Sequence, residues 1–249
     1  MIKTYLRNLV RRCGFDVVRF PAESMPGDLT PDDQKILRQC RPHTATTYHR
    51  LAAMLDAVAY CIGSGIPGAI VECGVWRGGT MMAAAMKLVQ LQQTTRPLYL
   101  FDTFEGMPPP SAHDQDYRGV PATQRLAAEE QGTGVWARAS LDEVKANLAR
   151  TGYPADGMYF VKGRVEETLS RHAPAEIAVL RLDTDWYEST LAELRMLFPR
   201  LVSRGVLIID DYGYWKGARK AVDEYFLQIG LRPLLARIDD TCRIFVKAT

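Results

Sequence analysis

The chain contains 249 residues, of which 47% are hydrophobic and 24% are charged, and its formal net charge is +2 at pH 7. This length allows one large domain or two small ones, and the near-zero charge gives no reason to expect a nucleic-acid partner. No apolar run is long enough to span a bilayer. The five cysteines are odd in number and lack CxxC spacing. We therefore expect reduced thiols and a cytoplasmic protein rather than a disulfide or zinc framework.

The first twenty residues carry five basic side chains against one acid, Asp16, and apolar residues recur among them at helical spacing. This pattern predicts a basic amphipathic helix. Such a helix usually packs on its own domain or on a second subunit. Packing on a second subunit would make the protein a homo-oligomer, which we expect. Peripheral contact of the helix with a membrane surface is the alternative. We predict an N-terminal basic extension over residues 1–41 and one domain over residues 42–249.

Predicted helices and strands alternate from residue 47 onward. The helices, each with an apolar face, are Thr47–Ile62, Thr80–Leu91, Leu141–Arg150, Ser189–Leu201 and Ala218–Ile229. The strands, which are short apolar runs, are Ala69–Cys73, Leu98–Phe101, Met158–Lys162, Ala178–Leu182, Val206–Ile209 and Cys242–Val246. Because parallel strands need crossover connections, this alternation predicts a doubly wound α/β domain with a mostly parallel sheet covered on both faces.

Residues 104–139 interrupt the alternation with three consecutive prolines, several glycines and mixed charge. An insertion of this length inside a compact domain is more often a functional lid than a simple connector. It follows the second predicted strand, at the edge of the sheet where ligands bind. We therefore expect a lid over the ligand site.

The first predicted strand runs into a glycine-rich turn, Glu72–Thr80, that opens the next helix. Glycines let the backbone approach a ligand closely, and a helix N-terminus offers free N–H groups to an anion. Trp76 stands where the dinucleotide fingerprint GxGxxG has its second glycine, which disfavours NAD. The carboxylate of S-adenosylmethionine fits such a turn better, and Glu72 can accept from its ammonium group. A glycine turn with a purely structural role is the alternative.

The second predicted strand ends at an acid, Asp102. An acid at this position is well placed to accept hydrogen bonds from both ribose hydroxyls of a nucleoside. A turn or helix-cap aspartate is the structural alternative.

Acidic residues follow two further predicted strands. Asp183 and Asp185 come after one strand, and Asp210 and Asp211 come after the next. If these strands are neighbours, the carboxylates converge, which raises their pKa values unless a cation joins them. Oxygen ligands suit magnesium and not zinc, so the sequence predicts a magnesium site, with solvated Asp-Asp turns as the alternative.

Five segments together resemble the macrocin O-methyltransferase (TylF-like) family, whose members methylate sugar hydroxyls in natural-product pathways. They are VECGVWRGGTMMAAA, LFDTFEGMP, KGRVEETL, LRLDTDWYESTLAEL and GVLIIDDYGYWKGARKAVDEY. The resemblance extends from about residue 42 to the C-terminus. It implies the class I methyltransferase fold, a seven-stranded Rossmann-like sheet with a reversed C-terminal strand, and it implies S-adenosylmethionine as cofactor.

The resemblance also implies residue roles. Asp183, Asp210 and Asp211 would bind magnesium, and Asp185 would be the general base. The methionine part of the cofactor would lie near Glu72, Gly74 and Thr80, and its ribose near Asp102. The full set of implied cofactor contacts is Glu72, Gly74, Thr80, Asp102, Thr103, Ser140, Gly163, Arg164, Val165 and Asp183.

The acceptor implied by the family is a sugar hydroxyl, on a glycosylated natural product or a bacterial glycan. A divalent ion held by these acids would stabilise the alkoxide that develops on the hydroxyl oxygen, and Asp185 would accept the proton. Two alternatives are enzymes, a catechol-type O-methyltransferase and a metal-dependent hydrolase. A third alternative is a non-catalytic binding module on the same fold. His113 and His172 lie in polar segments without a spaced partner, so we expect both at the surface.

Overall fold

A computed structural model describes residues 24–128 and 138–248. The basic helix predicted in the first twenty residues lies outside this part of the chain. The described strands form one seven-stranded sheet in the order β3-β2-β1-β4-β5-β7-β6. They are β1 (Ala69–Cys73), β2 (Leu98–Asp102), β3 (Met158–Lys162), β4 (Ile177–Leu182), β5 (Leu201–Ile209), β6 (Ala236–Arg237) and β7 (Arg243–Val246).

The first five strands are parallel, and β7 pairs antiparallel with both β5 and β6. This arrangement confirms the predicted doubly wound sheet with a reversed C-terminal strand. The helices that cover it are α1 (Pro31–Cys40), α2 (Tyr48–Gly63), α3 (Gly79–Gln90), α4 (Ala122–Ala128), α5 (Leu141–Ala149), α6 (Val165–His172), α7 (Tyr187–Leu197) and α8 (Lys216–Gln228).

The sheet separates two apolar cores, because successive side chains of a strand point to opposite faces. Ile70 and Ile208 pack in the core that contains α1, α2, α3 and α5. Their chain neighbours Val71 and Leu207 pack in the core that contains α6, α7 and α8. Both faces are therefore buried, which explains why the strands are continuous apolar runs instead of alternating ones.

Helix α1 lies within the predicted N-terminal extension but packs in the core of the domain. Thr30 caps it by accepting from the Asp33 N–H, and Pro31 occupies the first helical position, where no N–H is needed. Its apolar face is buried against α2 and α3. In addition, the Lys87 ammonium lies 2.7 Å from the Asp33 carboxylate. Residues 31–40 therefore belong to the folded domain.

Two predicted boundaries are wrong, the end of α7 and the start of β5. A proline ends the helix early, and exposed residues hide the start of the strand. Helix α7 ends at Leu197 and not at Leu201, because Pro199 has no N–H to continue it and a 3-10 turn follows. Strand β5 begins at Leu201, five residues before the predicted start, because part of its first half is exposed and lacks an apolar pattern. The sequence pattern does not predict the short elements α1, α4, α6 and β6.

The described part of the 104–139 insertion forms hydrogen bonds with the starts of α7 and α8. At α8, the N–H of Lys216 donates to the carbonyl of Gln115 at 2.8 Å. The Asp114 carboxylate accepts from the backbone N–H of Tyr187 at 2.8 Å and from that of Ser111 at 2.6 Å. The Trp186 indole donates to the carbonyl of Pro108 at 2.9 Å. These contacts hold the insertion beside the carboxyl ends of the strands, while its role as a lid stays a prediction.

No helix among the described residues is long and apolar enough to cross a membrane. Cys40, Cys61, Cys73 and Cys242 are buried free thiols. Burial raises the pKa of Cys61 to about 11 and that of Cys40 to about 12. These thiols therefore stay protonated at neutral pH and pack as small apolar groups.

Candidate active site

A cleft opens at the carboxyl ends of the parallel strands, where the chain order reverses between β1 and β4. This is the position at which open α/β sheets bind ligands. Most of the residues predicted for the site line the cleft: Gly74, Thr80, Asp102, Thr103, Gly163, Arg164, Val165, Asp183, Asp185, Asp210 and Asp211. The fold thus brings together segments that are more than a hundred residues apart in the sequence.

The turn after β1 passes directly beneath the loop after β4. Gly74 has a φ of 81°, and a Cβ at this position would collide with the carbonyl group of Asp183. Only glycine fits this combination of positive φ and close backbone approach. Trp76 also has a positive φ, of 45°, and its side chain lines the cleft. The glycine turn therefore places bare backbone next to the acidic loop.

Asp102 ties the glycine turn to the end of β2. One of its carboxylate oxygens accepts from the N–H of Val75 at 2.7 Å and from that of Trp76 at 3.0 Å. The other accepts from the N–H of Phe104 at 2.7 Å. Burial raises the pKa of Asp102, and these backbone hydrogen bonds oppose the rise. The observed contacts are those of a turn aspartate, and contact with a ribose stays a prediction.

Three carboxylates converge on the other side of the glycine turn. Asp183, Asp185 and Asp211 each offer an oxygen, and these oxygens lie within 4.8 Å of one another. The Oδ2 atom of Asp211 is buried and has no hydrogen-bond partner among the described residues. Asp185 has a φ of 69°, a conformation that non-glycine residues rarely adopt and that often marks functional loops.

The environment raises the pKa of Asp185 to about 7. Burial is the largest cause, the charges of Asp183 and Asp210 add to it, and a hydrogen bond with Asp211 opposes it. Burial also raises the pKa values of Asp183 and Asp211. Burial and mutual repulsion therefore disfavour full ionisation of the three carboxylates, and a bound cation would reverse that effect.

Arg181, on β4, lies beneath this cluster with only 3% of its side chain exposed. Its guanidinium donates to Glu72, to Asp183 at 2.7 Å and to Asp210 at 2.5 Å. Sequence reasoning missed it. The available signal was an arginine inside the apolar strand AVLRL, because a buried cation almost always has an acidic partner.

Arg50, at the start of α2, supplies a second cation. It donates to the other oxygen of Asp210 and, at 2.6 Å, to Asp239. Burial alone would raise the pKa of Asp210, but Arg181 and Arg50 hold it below its usual value. Both oxygens of Asp210 therefore accept from arginines, unlike those of Asp185 and Asp211.

Glu72 lies behind the cleft wall and not on its surface. It is 1% exposed, and burial raises its pKa to about 7 against the opposing effect of Arg181. One of its oxygens accepts from Arg181, whereas the other is buried without a partner among the described residues. An unsatisfied buried oxygen at this place is a group to which a ligand could donate.

A family model described as Macrocin-O-methyltransferase (TylF) matches residues 32–247. The chain belongs to this family. The resemblance drawn from the sequence motifs is thereby confirmed, and family membership supports O-methyltransferase activity.

Named relatives agree with this assignment. The chain is 35% identical over 246 residues, 97% of its length and 88% of the relative's, to the 8-demethyl-8-(2,3-dimethoxy-alpha-L-rhamnosyl)-tetracenomycin-C 4'-O-methyltransferase of Streptomyces olivaceus. It is 32% identical over 197 residues, 79% of its length and 75% of the relative's, to the mycinamicin III 3''-O-methyltransferase of Micromonospora griseorubida. The solved structure of the O-methyltransferase NovP has a TM-score of 0.72 and 30% identity, with 83% of each chain covered.

Besides Glu72, the residues Ser140, His113 and His172 do not line the cleft of this family member. Ser140 caps α5 by accepting from the Glu143 N–H at 3.2 Å, and it does not line the cleft. Its implied contact with the cofactor stays a prediction. His113 is exposed, with its ring centroid 4.7 Å from that of Tyr187, and His172, also exposed, ends α6.

Proposed function

We propose that this protein transfers a methyl group from S-adenosylmethionine to a hydroxyl of a sugar, with a divalent cation such as magnesium at the acid cluster. Family membership supports the methyl transfer. The relative from Streptomyces olivaceus, by its name, methylates the 4' oxygen of a substrate that carries a rhamnosyl group. The observation that carries the proposal is the convergence of Asp183, Asp185 and Asp211 beside the glycine turn.

The cleft suits the proposed cofactor. Gly74 lines it with bare backbone, Thr80 lies in the first turn of α3, and Glu72 has a buried oxygen without a partner among the described residues. These residues would hold the methionine part, with its carboxylate toward the N-terminus of α3. When bound, S-adenosylmethionine supplies a methyl group on a sulfonium, whose S–C bond breaks as the new O–C bond forms.

The acid cluster suits a hard cation. Its donors are all carboxylate oxygens, and Asp211 keeps one buried oxygen without a partner. Asp183 and Asp211 would hold the ion. Asp210 stays a predicted ligand, because each of its oxygens has a second lone pair besides the one used by an arginine. When bound, the ion stabilises negative charge that develops on the acceptor oxygen.

The protein's own residues perform the remaining tasks. Asp185 accepts the hydroxyl proton, because its carboxylate lines the cleft beside Asp183 and Asp211. Arg181 keeps Asp183 in place by a direct ion pair. Pro108, fixed by the Trp186 indole, closes one wall of the cleft and limits the access of water.

The test is an assay of S-adenosylhomocysteine formation, with the methylated product identified by mass spectrometry. Rhamnosylated and other glycosylated acceptors are compared with a catechol, each in the presence of magnesium and after chelation with EDTA. We expect product from a glycosylated acceptor and its loss on chelation. Activity that EDTA leaves unchanged contradicts the cation, and methylation of the catechol alone contradicts the sugar acceptor.

A further inference from the structure

A second pocket lies beside the cleft and takes no part in the chemistry proposed above. Arg219, Arg237 and Arg243 line it, together with Tyr212 and Asp240. We call it the arginine pocket. Three guanidinium groups around one hollow repel each other, so their arrangement requires an explanation.

Arg243 is the unusual member. It is 5% exposed, and its guanidinium donates to the backbone carbonyls of Asp239 at 3.2 Å and Cys242 at 2.9 Å. Within residues 24–128 and 138–248, no carboxylate forms an ion pair with Arg243 or with Arg237. Burial and the charge of Arg237 lower the pKa of Arg243. Because buried cations are normally paired, an anionic ligand would complete the charge balance of the pocket.

The acids around the pocket do not supply that anion. Asp223 accepts from the Tyr212 hydroxyl at 2.8 Å and lies 3.5 Å from the Arg219 guanidinium. Asp239 is held by Arg50 on the side of the cleft. Asp240 lines the pocket but is exposed and contributes only its backbone carbonyl to Arg243.

Tyr212 holds two of the guanidiniums in fixed positions. Its ring centroid lies 5.5 Å from the guanidinium carbon of Arg219 and 5.3 Å from that of Arg243. Cation–π contacts of this kind orient arginines and lower the entropy cost of binding a ligand. The pocket is therefore preorganised for an anion.

The arginine pocket and the acid cluster share one edge of the sheet. Arg243 pairs with Ile209, the residue before Asp210, and Arg237 pairs with Arg243 in the next strand. Tyr212 directly follows Asp211 in the chain. A single extended molecule can therefore reach both sites.

We propose that the arginine pocket binds a phosphate group carried by the acceptor, so that the acceptor is a nucleotide-linked sugar. The proposal rests on the proposed function. Guanidinium groups bind phosphate through paired, charge-assisted hydrogen bonds, which fits a pocket with unpaired arginines. A glycosyl transfer, with a nucleoside diphosphate as leaving group, would then be the class of reaction that consumes the methylated product.

The first test is direct binding. Isothermal titration measures the affinity of the full-length protein for inorganic phosphate, inorganic pyrophosphate and thymidine diphosphate. S-adenosylhomocysteine is present to fill the cofactor site, and EDTA removes divalent ions. Arg237→Gln is the test variant because Arg237 is exposed and its loss should not disturb folding, and Arg232→Gln, also exposed, is the matched control. Arg243→Gln is added if it folds.

We expect the wild-type protein and the Arg232→Gln variant to bind pyrophosphate and thymidine diphosphate equally. We expect Arg237→Gln to bind them about tenfold more weakly or worse, as for the loss of a hydrogen bond to a charged group. Absence of binding to the wild-type protein overturns the proposal. So does equal binding by Arg237→Gln and Arg232→Gln, because the anion would then occupy another site.

The second test separates the acceptor's phosphate from free phosphate. The ratio of kcat/KM for a thymidine-diphosphate sugar to that for the corresponding methyl glycoside should be large, and Arg237→Gln should lower it. An unchanged ratio, or inorganic phosphate binding as tightly as thymidine diphosphate, overturns the assignment to the acceptor. If no sugar is methylated at all, the proposed function fails, whereas the titration still reports on the pocket.

Discussion

Replacing Arg181 by methionine should destabilise the protein more than replacing any exposed arginine. The side chain is 3% exposed and contacts Glu72, Asp183 and Asp210. Its removal leaves Glu72 and Asp183 without a counter-ion, whereas Asp210 keeps Arg50. Breaking a buried ion pair by removing one partner costs about 3–5 kcal/mol. In a chain of this size, that corresponds to a fall in Tm of about 6–20 °C.

The assay is thermal and urea-induced unfolding without cofactor or metal, and the control is Arg195→Met on the exposed side of α7. The orphaned acids of Arg181→Met can take up protons, which raises their folded-state pKa values above the unfolded ones. Stability contributed by a group with a raised folded-state pKa is lost as pH rises. The unfolding free energy of Arg181→Met should therefore fall further below that of the wild-type protein at pH 8 than at pH 6. Adding Glu72→Gln should restore about 1–2 kcal/mol, because the neighbouring sites are coupled. Unfolding of Arg181→Met at the same temperature as Arg195→Met would refute the reasoning.

The remaining predictions concern the base, the glycine turn and an ion pair remote from both. Asp185→Asn should lower turnover by about 100-fold or more while leaving magnesium affinity intact, as measured by kinetics and titration, and a matching loss of metal affinity would make Asp185 a ligand instead. Gly74→Ala should abolish S-adenosylhomocysteine binding in a titration and lower the stability, because the new Cβ collides with Asp183; unchanged binding contradicts this. Lys87 helps to hold the pKa of Asp33 below its usual value, so the pair contributes stability at neutral pH that is lost as pH falls through the acidic range. Asp33→Asn should therefore cost about 3 kcal/mol at pH 7 and less near pH 3 by urea unfolding, and an equal cost at both pH values counts against the ion pair.

The sheet could be predicted from the sequence because each buried strand is a continuous apolar run that ends in turn or acidic residues. Met158–Lys162 and Ala69–Cys73 have the predicted bounds. The first half of β5 gives no such pattern because part of it is exposed. Helix α6 buries only Val165 and Leu169, which is too few residues for a recognisable apolar face. Local pattern is informative only where burial is extensive.

The acids of the candidate site could be predicted, whereas their partners could not. Strand ends place Asp183 and Asp211 at one edge of the sheet whatever the details of packing. The contacts of Arg181 and Arg50 depend on which strands and helices become neighbours, and no local pattern encodes that. For the same reason, the tie between Asp102 and the glycine turn is visible only in three dimensions.

Gly74 approaches the backbone of Asp183 closely, although the two residues are far apart in the sequence. This approach connects the turn proposed to hold the cofactor with the loop proposed to act on the acceptor. A ligand that shifts the turn after β1 must also shift the loop that carries Asp183 and Asp185. By thermodynamic reciprocity, occupancy of either half of the cleft then changes the affinity of the other by the same factor. Cofactor and acceptor should therefore bind this protein cooperatively, through the close approach of Gly74 to the Asp183 carbonyl.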